Sequence, residues 1–398
     1  MSILAYTGAR IFDGDNWHDD ATLVIDGARL LAIGAAPPGV ATVALPNDSM
    51  LVPGFIDLQV NGGGGHLIGP ATRIADLELV LDTHARFGVT GLLPTLITDT
   101  DTAVDRVLSV GAEASRLGLP GFLGLHLEGP HLSIARKGAH DPARIRPMVD
   151  ADLVRLERAR QVLPSLLVTV AAETVTPEQI ARLVHAGVVV SLGHSDASFE
   201  AASAAIQAGA TMVTHLFNAM SQLGNRDPGV VGAALHHGTV SAGIIADGIH
   251  VHPATFGIAL RAKTGPGKVF LVSDSMSQAG TDLTQFELGG RTIYRRNGAL
   301  RLADDTLAGA DLTLDQAVRY AHRELGMSLN EAFRMASILP AEALRQTPGY
   351  LRPGADADLV LLTSKLEVAA TWRKGRLTGS AHLSKSTATV RPRSLGSA

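Results

Sequence analysis

The chain has 398 residues, more than one ordinary core of roughly 100 to 200 residues needs, so it calls for two domains or one large barrel with an accessory domain. Its net charge of −4 is spread without a basic run or stripe, which argues against nucleic acid as a partner, and no apolar run of about 18 residues argues for a membrane span. Zero cysteines remove disulfides and thiolate metal sites and leave His, Asp and Glu as the strong ligands; "MSILAYTGARIF" has no signal-peptide layout, so cytoplasmic residence is expected.

The first fifty residues alternate short apolar runs with turn signals. Asp13-Gly14 comes first, then Asp26-Gly27 inside "TLVIDGARLLAIG", a hairpin signature. From about Leu51, continuous apolar runs alternate with helix-period segments, as in a parallel sheet buried on both faces. Eight such runs occur: "MLVPGFIDLQV", "VTGLLPTLI", "GFLGLHLE", "LLVTVAAE", "VVVSLGH", "MVTHLF", "SAGIIAD" and "KVFLVSD". They predict an α/β fold, a (β/α)8 barrel over residues 51–346.

Between the runs lie helix signals, such as Thr176 capping "TPEQIARLVHAG" with Glu178 in its first turn, and Gly209 closing "ASFEAASAAIQAG". The third and fourth runs are separated by an unusually long connection, "GPHLSIARKGAHDPARIRPM", a length that favours a functional loop. After the eighth run, "DLTLDQAVRYAHREL" and "LNEAFRMASILPAEAL" are both amphipathic, and "ADLVLLTSKLEVAATWRKGRLTG" returns to strands around Lys374-Gly375. Residues 1–50 and 347–380 are therefore expected to build one small β-sandwich from both chain ends. The polar tail 381–398 is expected to be disordered.

Active sites of such barrels form where strands end, at the C-terminal face. Glu128 closes "GLHLE", His194 closes "VVVSLGH", His215 lies near the end of "MVTHLF", and Asp274 closes "VFLVSD". One strand-end histidine alone is more often a satisfied polar residue; three ligand-type residues on separate strands of one barrel make a site. Glu, His and His with a water match the open four-coordinate setting of a catalytic divalent metal such as Zn2+, and Fe2+, Co2+ or Mn2+ suit the same donors. Asp274 is placed to take a proton and return it to a leaving group, although by itself it reads as a capping acid before "SMSQAG". At the end of the first run, Asp57, Gln59 and Asn61 have ligand-like spacing and precede four glycines, Gly62 to Gly65. The glycines read as a loop kept bare beside the site with N–H groups open to substrate, or as a plain turn.

In this order, "PGFIDLQVNGGGG", "LHLEGPHLS", "KGAH", "SLGHSDA", "THLFNAM", "DGIHVHP", "LVSD" and "LAGADLTL" resemble the N-acetylglucosamine-6-phosphate deacetylases, a family of the amidohydrolase superfamily. The resemblance implies release of acetate from an amino sugar phosphate. It makes Glu128, His194 and His215 ligands of one divalent ion per subunit, zinc first, and Asp274 the general base and acid. It also makes His140, in "KGAH", the group that polarises the substrate carbonyl, reaching over the site from the long third loop.

Asn218 and Ala219 are implied contacts to the sugar phosphate, and Arg226 and His250 are implied to reach the phosphate of a neighbouring subunit's substrate, which makes a homodimer. Arg226 also suits a bidentate anion contact on its own chemistry, its alternative being an ion pair with Asp227. Many amidohydrolases carry His-x-His where this chain has Gln59 and Asn61. Neutral amides are weaker ligands, so one metal is expected, with Gln59 hydrogen-bonding substrate or the activated water. Two rival readings stay open: an amidohydrolase acting on another N-acyl amino sugar or a cyclic amide, and a non-catalytic barrel that binds sugar phosphate or serves as a scaffold.

Overall fold

Every residue of Phe55–Val60, Leu125–Glu128, Leu166–Val170 and Val189–Leu192 is buried, because a strand inside a parallel sheet covered by helices has neither face in water. The computed structural model describes residues 3–346 and 349–380. Those four strands join Val89–Ile97, Met212–Val213, Ser241–Ile244 and Val269–Leu271 in one eight-stranded parallel sheet whose neighbours follow chain order. The eighth strand returns to the first: the Asp274 N–H donates to Gln59 O at 3.1 Å, the Asn61 N–H donates to Ser275 O at 2.8 Å, and Val60 pairs with Ser275. The eight apolar runs are the eight strands of a closed barrel.

Local signals set the helices between them. Thr176 Oγ1 accepts the Gln179 N–H at 3.3 Å, with Pro177 opening the helix Pro177–His185, and Gly209 leaves the helix Phe199–Gln207 at φ 115°. The segment "LNEAFRMASILPAEAL" departs from expectation and forms two helices, Leu329–Ala336 and Ile338–Ala343, broken at Ser337. Pro340 has no N–H, and its ring would collide with the carbonyl four residues back, so one continuous helix cannot pass through it.

The first apolar run also divides. Met50–Pro53 pairs with Arg10–Phe12 and Leu359–Leu362 in a six-stranded sheet, whereas Phe55–Val60 enters the barrel. The hinge between them is Gly54, where a Cβ would lie 2.0 Å from Thr90 Oγ1. A four-stranded sheet of Ile3–Thr7, Thr22–Asp26, Arg29–Gly34 and Ala41–Ala44 packs on the six-stranded one through Tyr6, Leu23, Leu51, Leu359 and Trp372. All three predicted turns of the β-rich ends are present, Phe12 pairing with Trp17, Asp26 with Arg29 and Arg373 with Arg376. The chain is thus a barrel carrying a small β-sandwich built from both ends. The tail expected over 381–398 lies outside the described residues.

An element absent from the sequence reading follows the eighth strand. Gln285–Leu288, Arg291–Arg296 and Ala299–Arg301 form a three-stranded antiparallel ribbon. Its two turns, Gly289-Gly290 and Asn297-Gly298, hold both residues at positive φ, the two-residue hairpin geometry those residue types favour.

One buried cation ties the sandwich to the barrel. The Arg373 side chain is 2% exposed; its guanidinium donates to the carbonyls of Leu81, Val89 and Pro120 and lies 3.1 Å from Asp82 Oδ1. Arg373→Met should lower stability by about 2–4 kcal/mol, because the carbonyls it serves stay buried without donors. A urea denaturation midpoint equal to the parent's would contradict this.

Candidate active site

At the mouth of the barrel three non-glycine residues take left-handed backbone conformations just beyond their strands: His194 at φ 46°, His215 at 29° and Asp274 at 49°. Such positions cost a residue bearing a Cβ about 1–2 kcal/mol and concentrate where function holds them. All three, with Glu128 at the end of the third strand, line one cavity of about 530 Å³. The four strand-end residues singled out in the sequence therefore converge.

Glu128 Oε1 lies 3.0 Å from His215 Nε2 and 3.2 Å from His194 Nε2, and the two ring nitrogens are 3.1 Å apart. Ligand atoms about 2.0–2.2 Å from a tetrahedral zinc are separated by about 3.3–3.6 Å, so these atoms already form one face of such a site to within a few tenths of an ångström. Among the described residues it is the one cluster of this kind. The donors are also pre-set. His194 Nδ1 is 2.8 Å from Arg136 O, so its N–H is used there and Nε2 keeps a lone pair facing the triad. Burial pushes the Glu128 carboxyl up, but the neighbouring His194 and His215 outweigh it and hold it well below the usual range. The residues fit a divalent cation of the zinc type.

His140 comes in from the long third loop. Its Nδ1 accepts the Thr98 N–H at 3.3 Å and lies 2.8 Å from Thr98 Oγ1, which leaves the ring proton on Nε2, 3.9 Å from Glu128 Oε2. Burial and the neighbouring His194 lower its pKa to about 3, so it stands in the cavity as a neutral N–H donor. Asp274 is 8% exposed; burial and the charge of Glu128 raise its pKa to about 6.

Asp57, Gln59 and Asn61 take three different tasks. Asp57 accepts the N–H groups of Gln59 and Ser273 at 3.2 Å each, joining the first strand to the eighth, and burial pushes its carboxyl up to about 7. Gln59, expected to meet substrate or water, instead donates its side-chain N–H to Glu128 Oε1 at 3.1 Å and lies outside the cavity lining. Asn61 Nδ2 donates to Asp274 Oδ1 at 2.7 Å and faces the cavity, a contact the sequence reading missed because it weighed Asn61 only as a metal ligand.

The glycines correct a second expectation. The Gly64 and Gly65 N–H groups are used on Ala279 O and Ser277 O at 2.8 Å each, and none of residues 62–65 lines the cavity. Packing keeps the first three bare: a Cβ on Gly62 would meet His66 O at 2.2 Å, one on Gly63 His84 Nε2 at 3.0 Å, and one on Gly64 Thr83 Oγ1 at 2.6 Å, whereas Gly65 has open space and owes its glycine to a φ of 89°.

Asn218, Ala219 and His250 also line the cavity. Asn218 Nδ2 donates to His215 O at 3.3 Å, and Ala219 holds φ 49°. His250 Nδ1 lies 2.6 Å from Asp247 Oδ2, which anchors the ring in the lining of this chain's cavity, near Asp274. Arg226 is exposed, stands outside this cavity, and makes no ion pair with Asp227 among the described residues.

Comparison with known proteins agrees with this geometry. Residues 50–378 match the amidohydrolase family. The chain is 43% identical over 380 residues to an N-acetylgalactosamine-6-phosphate deacetylase of Shewanella sp. (strain ANA-3), covering 94% of this chain and 96% of that one. It is 36% identical over 365 residues to an N-acetylglucosamine-6-phosphate deacetylase of Haemophilus influenzae, covering 90% and 94%. The crystal structure of N-acetylglucosamine-6-phosphate deacetylase from Pasteurella multocida superposes with a TM-score of 0.90 at 34% identity, over 94% of this chain and 99% of that one. A barrel closed in chain order, a Glu-His-His triad at its mouth and a match spanning most of the sequence place the chain in the amidohydrolase family.

Proposed function

We propose that the protein hydrolyses the acetamide of N-acetylglucosamine 6-phosphate to glucosamine 6-phosphate and acetate. The observation that carries the reading is the meeting, in one cavity, of a metal-type triad with an acid, Asp274, and a neutral N–H donor, His140. When bound by Glu128, His194 and His215, a divalent cation, proposed to be one zinc per subunit, supplies Lewis-acid activation of water and carbonyl. The Asp274 carboxylate takes the proton from the attacking water. His140 Nε2–H donates to the carbonyl oxygen as negative charge develops there. Asp274 then hands its proton to the sugar nitrogen as the C–N bond breaks, so one group serves as base and acid in turn.

Asn218, Ala219 and His250 are proposed to hold the sugar phosphate within the cavity. Arg226 is proposed to meet the phosphate of a partner's substrate in a homodimer, and the enzyme to work in the cytoplasm. Residues 51–346 are proposed as the catalytic domain, with 1–50 and 347–380 as its accessory sandwich. No described helix is long and apolar enough to cross a membrane.

A second reading, N-acetylgalactosamine 6-phosphate as substrate, is favoured by the 43% identity to the Shewanella enzyme. Acetate release by the purified, metal-quantified protein separates the readings when N-acetylglucosamine, its 6-phosphate and the 6-phosphate of the 4-epimer are compared. We expect the 6-phosphate to raise kcat/KM by about a hundredfold or more, as loss of a charge-assisted anchor implies. Equal or absent activity with and without phosphate, despite bound metal, would overturn the substrate; preference for the 4-epimer would select the second reading.

A further inference from the structure

Asn61 is 4% exposed, lines the cavity, and uses only half of its side-chain amide. Its NH2 group donates to Asp274 Oδ1 at 2.7 Å, whereas its carbonyl Oδ1 is buried with no hydrogen-bond partner among the described residues. The orientation follows from chemistry, since an ionised carboxylate can only accept and the nitrogen must therefore face it. A buried amide oxygen without a donor costs free energy, and such an orphan beside a reacting group is expected to be satisfied by what enters the site.

Because the oxygen and nitrogen of one amide are about 2.3 Å apart, Oδ1 lies within about 5 Å of the Asp274 oxygen that the same amide holds. That spacing is compatible with one nitrogen hydrogen-bonded to both oxygens. Asp274 must come that close to the sugar nitrogen to protonate it. Of the other polar groups lining the cavity, the Glu128 carboxylate and the His194, His215 and His140 rings are committed to the triad or to the carbonyl side, and the His250 ring is held by Asp247.

We infer that Asn61 is a further substrate-contacting residue, whose Oδ1 accepts the N–H of the scissile acetamide and then of the departing amine while its NH2 holds Asp274. This rests on the deacetylase reading above. The amide thereby aims the substrate nitrogen at the group that must protonate it. It also gives the Asn at this position a task that a histidine, lacking a carbonyl oxygen beside its donor, cannot perform in the same way.

The test separates a direct contact from an effect passed through Asp274. In metal-loaded Asp274→Ala protein, which should bind substrate without turning it over, calorimetry measures the Kd for N-acetylglucosamine 6-phosphate and for 2-deoxyglucose 6-phosphate, which has no nitrogen. Adding Asn61→Ala should weaken the acetamide ligand about tenfold and the deoxy ligand less than about twofold. Adding Asn61→Asp, which keeps an acceptor oxygen, should restore acetamide binding, and this guards against misfolding of the alanine variant. Equal weakening of both ligands, or no weakening of either, would overturn the contact and leave the deacetylase reading standing. Failure of the Asp274→Ala protein itself to bind either sugar phosphate would overturn both.

Discussion

Asp274→Asn is expected to lower turnover by about 10²- to 10⁴-fold while leaving bound metal unchanged, the range spanned by general acid–base catalysis. The carboxylate stands at the end of the eighth strand, separate from the Glu128, His194 and His215 atoms that form the triad, so its loss does not remove a ligand of that cluster. Asparagine preserves the shape and can still pair with Asn61, but it cannot carry a proton from water to nitrogen. The pH profile supplies an independent check. As a base Asp274 must be ionised, and burial beside Glu128 raises its pKa to about 6. Below that value the protonated form accumulates, so kcat/KM falls as the pH is lowered; a cation at the triad favours the ionised form and moves this limb to lower pH. An acid limb centred above pH 7, or near-parent turnover of the asparagine variant with normal metal content, would remove Asp274 from the role.

The barrel was legible because burial of both strand faces leaves a simple record, a continuous apolar run, and the register of the closed sheet then carries Glu128, His194, His215 and Asp274 to one rim. Their convergence needed no knowledge of side-chain contacts. The partners of those residues were not legible, since hydrogen bonds such as Thr98 to His140 and Gln59 to Glu128 join positions 42 and 69 residues apart and depend on tertiary placement alone. The four glycines misled for a related reason. A glycine is required wherever something comes close, and the sequence does not say whether that is a substrate or, as here, His84 and Thr83 of the next helix. The ribbon over residues 285–301 is different: Gly289-Gly290 and Asn297-Gly298 are readable hairpin turns, passed over because the barrel pattern was already complete at the eighth strand. It matters for function, because Leu288 and Arg301 of the ribbon line the cavity and no barrel strand supplies that wall.

Glu128→Gln is expected to abolish stoichiometric metal binding and to reduce turnover on the order of 10³-fold or more, the equivalent of several kcal/mol of Lewis-acid stabilisation. The replacement is isosteric, so the effect isolates charge. A neutral amide oxygen is a poor ligand for a borderline dication, and it also leaves His194 and His215 without the carboxylate that both rings approach at 3.2 and 3.0 Å. Gln59→Leu should act in the same direction but less, about 10- to 100-fold in metal affinity, because its N–H orients Glu128 Oε1 without touching the cavity. Metal analysis after dialysis against a graded chelator series orders the three proteins. The parent should hold about one ion per chain, since the positions where a second pair of imidazoles would be needed carry the neutral amides Gln59 and Asn61, much weaker ligands for a borderline dication. Two tightly held ions in the parent, or full metal retention by Glu128→Gln, would contradict the single Glu-His-His site, because each requires ligands that the strand ends at this rim do not otherwise provide.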